Sequence, residues 1–252
     1  MNQNNWDVLM NVKAILFDLD GTLINSEKAF CKSFKSVLYD YFHIVVTNED
    51  YKRYELEQNA MLLKTLKNKY EILLNFSNQD IMELVYQNYE SEFKKIIMEP
   101  VAQENFKLLW KLKEAGLLLA LVTTCRRYYL EILINKLKLD DLFDVIIARE
   151  DVEHLKPAPD AYNKAIHQLD VDPLSCLAVE DSKRGISAGI NSGIPVMQVH
   201  NFNSIQFTDN RAISCNSANE LMTKVLEKRY HVIIIPLKFT LNKKNQNMVK
   251  FI

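Results

Sequence analysis

Glycine and proline are scarce in this chain and unevenly spread. The 252 residues include five glycines and six prolines, and none of them lies between residues 22 and 99. Tight turns depend on these two residues, so their absence excludes a turn-rich, strand-based architecture from that window. Apolar residues recur there at intervals of three and four, as in AFCKSFKSVLYDYF and IMELVYQNYESEFKKII. This spacing predicts amphipathic helices packed in a small bundle.

Closely spaced cysteines, an excess of one charge and a long apolar run are also missing. The four cysteines form no CxxC pair, which argues against a disulfide framework or a zinc site and fits a reducing cytoplasm. The 31 Lys and Arg nearly balance the 32 Asp and Glu, so overall charge indicates neither nucleic acid nor an anionic membrane as partner. No apolar run approaches the ~20 residues of a spanning helix, and the polar start lacks the pattern of a signal peptide. We expect a soluble, cytoplasmic protein.

Outside the helical window, short apolar runs alternate with segments of helix length. Five runs are bounded by polar or turn residues: VKAILFDLD, LLLALVTT, FDVIIA, SCLAVED and IPVMQV. The alternation predicts an α/β fold with a doubly wound, Rossmann-like parallel sheet, into which an all-helical cap domain is inserted. The predicted core domain comprises residues 1–25 and 99–229, the cap residues 26–98, and a C-terminal extension of unassigned role residues 230–252.

Four of the predicted strands carry polar residues at or just after their carboxyl ends. Open parallel sheets bind ligands beyond this edge. Side chains alternate along a strand, so Asp18 and Asp20 are expected to point to the same side. The sequence therefore predicts one pocket in which the four strand ends converge. Its candidate residues are Asp18 and Asp20, Thr123, Lys156, and Glu180 with Asp181.

This set of side chains suits phosphoryl transfer. Several carboxylates in one cleft repel each other and a phosphate unless a hard cation lies between them, and oxygen-only ligands favour Mg²⁺. One carboxylate can attack phosphorus to form an aspartyl-phosphate, while a second acid protonates the leaving oxygen and then deprotonates water. A hydroxyl and an ammonium can hold the phosphoryl oxygens. Asp18, Asp20, Thr123, Lys156 and Asp181 supply these groups.

The same residues resemble the four motifs of the haloacid dehalogenase-like hydrolase superfamily. The motifs occur in the family's order: FDLDGTL at 17–23, LVTT at 121–124, KPAPD at 156–160 and VEDSKRGISAG at 179–189. The chain is most similar to the branch with a helical cap inserted after the first strand, which includes β-phosphoglucomutase and phosphoglycolate phosphatase. The resemblance implies a Mg²⁺-dependent phosphatase that hydrolyses monoesters of small phosphorylated metabolites.

The resemblance also implies catalytic and metal-binding roles. Asp18 would be the nucleophile and Asp20 the general acid and base. Asp18, the backbone carbonyl of Asp20 and Asp181 would hold Mg²⁺, with Glu180 beside them as a supporting group or alternate ligand. From the residues alone, Asp181 could also cap the helix that follows it, and capping is compatible with metal binding.

Phosphate and substrate contacts follow from the remaining motif residues. Thr123 and Lys156 would bind the phosphate in the family pattern. Thr124 is a possible substrate-binding residue that could equally well cap a helix. Arg126 is a candidate to reach the substrate, although adjacent arginines are more often a solvated pair.

Two other functions remain open at this point. A phosphosugar mutase would need a basic cap residue to hold a second phosphate, and none can be assigned, although Arg53, Lys64 and Lys67 lie near the corresponding position. A binding or regulatory protein could keep the fold, but it would have no reason to keep both Asp18 and Asp20. The chain is expected to be a monomer or a weak dimer.

Overall fold

Six strands build the sheet. A computed structural model describes residues 9, 11–47, 58–202 and 209–240. Its strands are β1 (Ala14–Phe17), β2 (Leu118–Val122), β3 (Val145–Ile147), β4 (Cys176–Glu180), β5 (Val196–Val199) and β6 (Ile213–Cys215). All neighbouring pairs are parallel, and the order across the sheet is β3-β2-β1-β4-β5-β6. The predicted doubly wound parallel sheet is confirmed.

Eight α-helices are described. Three form the insertion that follows β1: α1 (Ser26–Phe42), α2 (Gln58–Lys69) and α3 (Asn78–Ile96). The other five are α4 (Pro100–Glu114), α5 (Arg127–Leu137), α6 (Asp160–Leu169), α7 (Lys183–Asn191) and α8 (Ala218–Thr240). Short 3₁₀ helices cover Glu71–Asn75, Arg149–Asp151 and Pro173–Ser175. Among the described residues, none of these helices is both long and apolar enough to cross a membrane.

The two faces of the sheet carry separate apolar cores. Alternate residues of β1 point to opposite faces, so Ile15 and Phe17 pack in one core and Ala14 and Leu16 in the other. The first core includes residues of α4, α5 and α8, and the second includes residues of α6 and α7. Because both faces are covered, β1 and β4 are fully buried, and their polar residues can lie only at the strand ends.

The inserted helices have an apolar core of their own. Residues of α1, α2 and α3, together with Leu73, form a third buried cluster that includes Phe34, Leu38, Leu63 and Val85. α1 and α3 also face the sheet domain, because Tyr89 and neighbouring residues belong to the first core. The helices between residues 22 and 99 are as the sequence predicted within the described part of that window. Residues 48–57 lie outside it.

The two connections between the inserted helices and the core are held together. Lys28 at the start of α1 forms an ion pair of 2.6 Å with Glu99, the residue that precedes Pro100 and α4. The buried side chain of Asn105 donates a hydrogen bond of 2.9 Å to the carbonyl of Leu23. The entry to and exit from the insertion are therefore adjacent in space.

Three local features differ from or extend the sequence analysis. Strand β6 was not predicted, because Ile213–Cys215 is a three-residue strand with little apolar signal. The residue that caps α7 is Ser182, whose side chain accepts a hydrogen bond from Gly185, so the additional role of Asp181 as the helix cap is wrong. Helix α8 runs through residue 229 to Thr240, across the position where the C-terminal extension was predicted to begin.

Candidate active site

The candidate site lies where the strand order reverses, at the carboxyl ends of β1 and β4. These two strands are neighbours although they are distant in sequence, and the crevice at such a position is the usual ligand site of open α/β sheets. β1 ends directly before Asp18, and β4 ends at Glu180. β2 ends directly before Thr123, and Lys156 lies in the loop between β3 and α6.

Lys156 is the centre of a buried ion-pair network. Its side chain is almost fully buried, and Nζ lies 2.7 Å from Asp18 Oδ1, 2.5 Å from Glu180 Oε1 and 2.8 Å from the carbonyl of Val122. The Arg184 guanidinium donates to the Lys156 carbonyl and so holds the loop that carries the lysine. One ammonium thus joins the ends of β1, β2 and β4.

Tyr162 and Gly185 also lie against the Glu180 carboxyl group. The Tyr162 hydroxyl donates a hydrogen bond of 2.7 Å to Glu180 Oε1. A Cβ added to Gly185 would lie 2.0 Å from the Glu180 carboxyl group, so only glycine leaves room for that side chain. Sequence analysis gave Tyr162 no role, because the sequence does not show which face of α6 meets Glu180.

Asp20 is held by two hydroxyl groups. Thr123 Oγ1 donates to Asp20 Oδ2 at 3.3 Å and accepts from the backbone N–H of Cys125 at 3.0 Å, which orients it. Ser26, in the first turn of α1, also forms a side-chain hydrogen bond with Asp20. Sequence analysis did not identify Ser26, since it belongs to no strand end.

Asp18, Glu180 and Asp181 form a buried acidic cluster that fits a metal ion. Each offers a carboxylate oxygen, and these oxygens lie within 4.8 Å of one another. Gly21 has a positive φ of 84°, and an added Cβ there would lie 2.0 Å from Asp181 Oδ2. The oxygen-only donor set suits a hard divalent cation. Glu180 Oε2 is buried without a hydrogen-bond partner among the described residues, which leaves negative charge for a cation to neutralise.

The pKa values of the site reflect this excess of carboxylates. Burial raises the pKa of Asp18 well above its usual range, and the carboxylates of Glu180, Asp181 and Asp20 add to the effect while Lys156 opposes it. Burial disfavours the charged form of Lys156, yet the adjacent Asp18 and Glu180 outweigh it and raise the pKa of the ammonium. A bound cation would lower the pKa of Asp18 and restore its carboxylate form.

The pKa of Asp20 is also raised, although two hydroxyl groups contact this carboxylate. Burial is the main cause, and it outweighs the hydrogen bonds from Ser26 and Thr123, which favour the carboxylate. A raised pKa makes the protonated carboxyl group available at higher pH, as a general acid requires.

A cavity of about 470 Å³ opens above these groups. Asp20 and Asp181 line it, whereas Asp18, Thr123 and Lys156 are buried and do not form its wall. Both Thr124 and Arg126 line the cavity. Thr124 does not cap α5, since the N-cap position is Arg126, without a side-chain capping bond. The inserted helices contribute Ser26, Glu27, Phe30, Tyr86 and Tyr89 to the wall.

The fold and the motif-bearing strand ends are those of a hydrolase family. Residues 15–199 match the haloacid dehalogenase-like hydrolase family, and the chain belongs to it, as the sequence resemblance indicated. The chain is 30% identical over 190 residues to pyrophosphatase PpaX of Bacillus mycoides (strain KBAB4), an alignment that covers 75% of this chain and 84% of the relative.

Two solved structures illustrate the shared fold. A HAD family hydrolase from Deinococcus radiodurans R1, solved with bound phosphate and sodium, has a TM-score of 0.68 and 23% identity over 87% of this chain and 97% of its own. The beta-phosphoglucomutase of Clostridium difficile has a TM-score of 0.61 and 19% identity over 89% and 99%. At these identities the likeness shows the shared fold alone.

Proposed function

We propose that this chain is a Mg²⁺-dependent phosphatase that hydrolyses small phosphate monoesters through an aspartyl-phosphate on Asp18. Membership of the family makes it a hydrolase of the phosphatase type, which acts by phosphoryl transfer. The observation that carries the detailed proposal is the pairing of Asp18 with Lys156 at 2.7 Å, beside the acidic cluster and the cavity.

The first half-reaction transfers the phosphoryl group to Asp18. An oxygen of Asp18, whose side chain remains 9% exposed, forms a bond to phosphorus as the bond to the leaving oxygen breaks. Protonated Asp20 donates its proton to that leaving oxygen. Lys156 and Thr123 hold the phosphoryl oxygens and neutralise charge on them in the transition state.

The second half-reaction returns the enzyme to its starting state. Asp20, now a carboxylate, takes a proton from water as the water oxygen attacks phosphorus. The bond between phosphorus and Asp18 breaks, and inorganic phosphate leaves. The proposed ligands of Mg²⁺ are Asp18, the Asp20 carbonyl and Asp181, with Glu180 as a supporting or alternate ligand. When bound, the ion shields the carboxylates and polarises the phosphoryl oxygens.

The proposal includes residues 26–98 as a cap over residues 1–25 and 99–229. The cavity between the inserted helices and the sheet edge supports this division. Among the described residues that line it, those from the inserted helices include no Lys or Arg. A phosphosugar mutase would need such a residue for a second phosphate. Of the basic residues considered from the sequence, Lys64 and Lys67 do not line the cavity, and Arg53 lies outside the described residues.

The nucleophile assignment is tested with p-nitrophenyl phosphate and Mg²⁺. Asp18→Asn should lower kcat by more than about a hundredfold, because an amide is a poor nucleophile, while circular dichroism and the thermal midpoint show an intact fold. Asp160→Asn is the matched control, since that carboxylate pairs with the exposed His154. Residual turnover above a tenth of wild type would exclude Asp18 as the nucleophile.

The role of Asp20 is tested by separating the two half-reactions. In rapid-quench experiments, Asp20→Asn should form phosphorylated protein from an aryl phosphate with a good leaving group and then hydrolyse it slowly. Equal losses in formation and hydrolysis would contradict the acid and base assignment.

A further inference from the structure

All three N–H donors of the Lys156 ammonium are already in use. An ammonium carries three such donors. Lys156 Nζ lies 2.7 Å from Asp18 Oδ1, 2.5 Å from Glu180 Oε1 and 2.8 Å from the carbonyl of Val122. If Lys156 is to hold a phosphoryl oxygen, as proposed above, one of these three hydrogen bonds must open first.

The bond to Glu180 is the one whose loss costs least. Among the described residues, Glu180 is the only one of the three acceptors that also receives a hydrogen bond from a second side chain, because the Tyr162 hydroxyl donates to the same oxygen, Oε1, at 2.7 Å. A buried carboxylate without a partner is costly. Glu180 would keep one donor after Lys156 turned away.

The hydroxyl group of Tyr162 is not explained by core packing. Tyr162 lies on α6, is fully buried and belongs to the second apolar core, with Ala165 and Ile166 of the same helix. A phenylalanine ring would fill this space equally well. The ring also lies 5.1 Å from Lys156 Nζ, within the range of a cation–π contact. Only the hydrogen bond to Glu180 requires tyrosine.

The surroundings of Glu180 keep both donors on one oxygen. A Cβ added to Gly185 would lie 2.0 Å from the Glu180 carboxyl group, so α7 leaves this group little room to turn. The other oxygen, Oε2, is buried without a hydrogen-bond partner among the described residues. Lys156 and Tyr162 therefore share Oε1, and either donor can leave without stranding that oxygen.

We infer that Tyr162 is a positioning residue for phosphoryl transfer, whose hydroxyl holds Glu180 while Lys156 exchanges that carboxylate for a phosphoryl oxygen. This inference rests on the proposed function and adds a residue of α6 to it. The exchange involves hydrogen bonds only. Lys156 stays bonded to Asp18 and to the Val122 carbonyl, and its third N–H turns from Glu180 to the phosphate. When phosphate leaves, Glu180 accepts from the ammonium again.

Tyr162→Phe removes the hydroxyl group and keeps the ring. Calorimetry with inorganic phosphate and saturating Mg²⁺ should show about tenfold weaker phosphate binding than in the wild type, because Glu180 then depends on Lys156 alone and hydrogen bonds to charged groups are of this strength. Binding of Mg²⁺ should be retained. Tyr128→Phe is the matched control, since it removes a hydrogen bond between a tyrosine and Glu90 at the exposed surface. It should bind phosphate like the wild type.

A double-mutant cycle shows whether Tyr162 acts through Glu180. In Glu180→Gln, the uncharged amide holds Lys156 weakly with or without the tyrosine hydroxyl. Tyr162→Phe should therefore weaken phosphate binding much less in this background than in the wild type. A purely structural role in the core would give the same loss in both backgrounds. Equal losses, or wild-type phosphate affinity in Tyr162→Phe, would overturn the inference.

A crystal structure of the wild type with Mg²⁺ and inorganic phosphate tests the exchange without any substitution. Lys156 Nζ should contact a phosphate oxygen and lie beyond hydrogen-bond distance of Glu180 Oε1, while the Tyr162 hydroxyl remains bonded to that oxygen. A complex in which Lys156 still donates to Glu180 would contradict the role of Tyr162, whatever the behaviour of the variants.

Hydrolysis of p-nitrophenyl phosphate separates this role from the function on which it rests. A wild-type protein that hydrolyses the ester, yet loses no phosphate affinity in Tyr162→Phe, keeps the phosphatase function and loses the role of Tyr162. A wild-type protein that hydrolyses no phosphate ester, yet binds phosphate through Lys156 and loses affinity in Tyr162→Phe, keeps that role and loses the phosphatase function. A wild-type protein that binds no phosphate would also exclude the exchange.

Discussion

The edge of the sheet and the inserted helices contribute to the same cavity in different ways. At the sheet edge, Asp18, Lys156 and Glu180 are buried, and each carboxylate pairs with the Lys156 ammonium within 2.7 Å. The inserted helices contribute chiefly aromatic surface, with Phe30, Tyr86 and Tyr89 on the wall. One region therefore depends on fixed distances between charges, and the other on apolar packing.

The difference predicts unequal tolerance to substitution. Buried charges have no water to replace a lost partner, so a small change at the sheet edge should affect both stability and chemistry. Helix packing is less directional, so changes in the insertion should affect stability before chemistry. Substitutions in both regions and metal binding test this difference.

The largest effect is expected for Lys156→Met. Removing the ammonium leaves Asp18 and Glu180 buried without their shared partner, which should cost about 3–5 kcal/mol in the free energy of unfolding and abolish measurable turnover. Denaturant unfolding and p-nitrophenyl phosphate hydrolysis measure the two effects. Lys94→Met on α3 is the control, since its ion pair with Glu90 is exposed and should be dispensable. Similar losses in both variants would contradict the predicted difference between the sheet edge and the inserted helices.

Metal binding should stabilise the sheet edge. At Mg²⁺ about a hundred times above its Kd, the free energy of unfolding should rise by about 2.7 kcal/mol, which thermal unfolding can detect. Asp181→Asn should reduce this gain, because it removes one of three clustered carboxylates. Asp160→Asn should keep it. A gain of equal size in all three proteins would place Mg²⁺ outside the acidic cluster.

Gly185→Ala tests how tightly Glu180 is enclosed. The added Cβ would lie 2.0 Å from the Glu180 carboxyl group, so Glu180 or α7 must move. Despite the higher helix propensity of alanine, we expect a loss of about 2 kcal/mol and a fall in kcat as Lys156 loses its fixed partner. Gly116→Ala is the control: its φ is 79° but no other atom lies within 4 Å of the added Cβ, so kcat should be unchanged. A wild-type kcat in Gly185→Ala would show that Glu180 can move without disturbing Lys156.

Ser77→Ala should give the smallest effect and should spare the chemistry. Ser77 and Asp80 form reciprocal hydrogen bonds of 3.1 and 2.9 Å at the start of α3. Losing the side-chain bond should lower the thermal midpoint by about 3 °C and leave kcat unchanged. An altered kcat would show that the insertion and the sheet edge are more closely coupled than the comparison implies.

This capping pair also has a defined pH dependence. The Ser77 hydroxyl, with the Ser77 backbone N–H, lowers the pKa of Asp80. The folded state therefore favours the carboxylate, and this stabilisation is present above the ordinary carboxyl pKa and is lost as pH falls through the lowered value. The difference between wild type and Ser77→Ala should shrink on acidification, as thermal unfolding at several pH values can show. A difference that grew at low pH would contradict the assignment.

Much of the fold and of the candidate site follows from local sequence patterns. The apolar runs predict strands, and in a parallel sheet their carboxyl ends share one edge, so the residues after them must lie close together. This explains why Asp18, Thr123, Lys156 and Asp181 could be chosen from the sequence, although their roles in the reaction remain proposals.

Local sequence patterns predict five of the six strands and the polar residues at four strand ends, because strand alternation and motif spacing are properties of neighbouring residues in the chain. Tertiary packing sets which helix faces meet those strand ends. Ser26 of α1 reaches Asp20, and Tyr162 of α6 reaches Glu180 at the end of β4. Such contacts depend on how helices rotate and seat against the sheet to bury apolar area, and no local pattern encodes that choice.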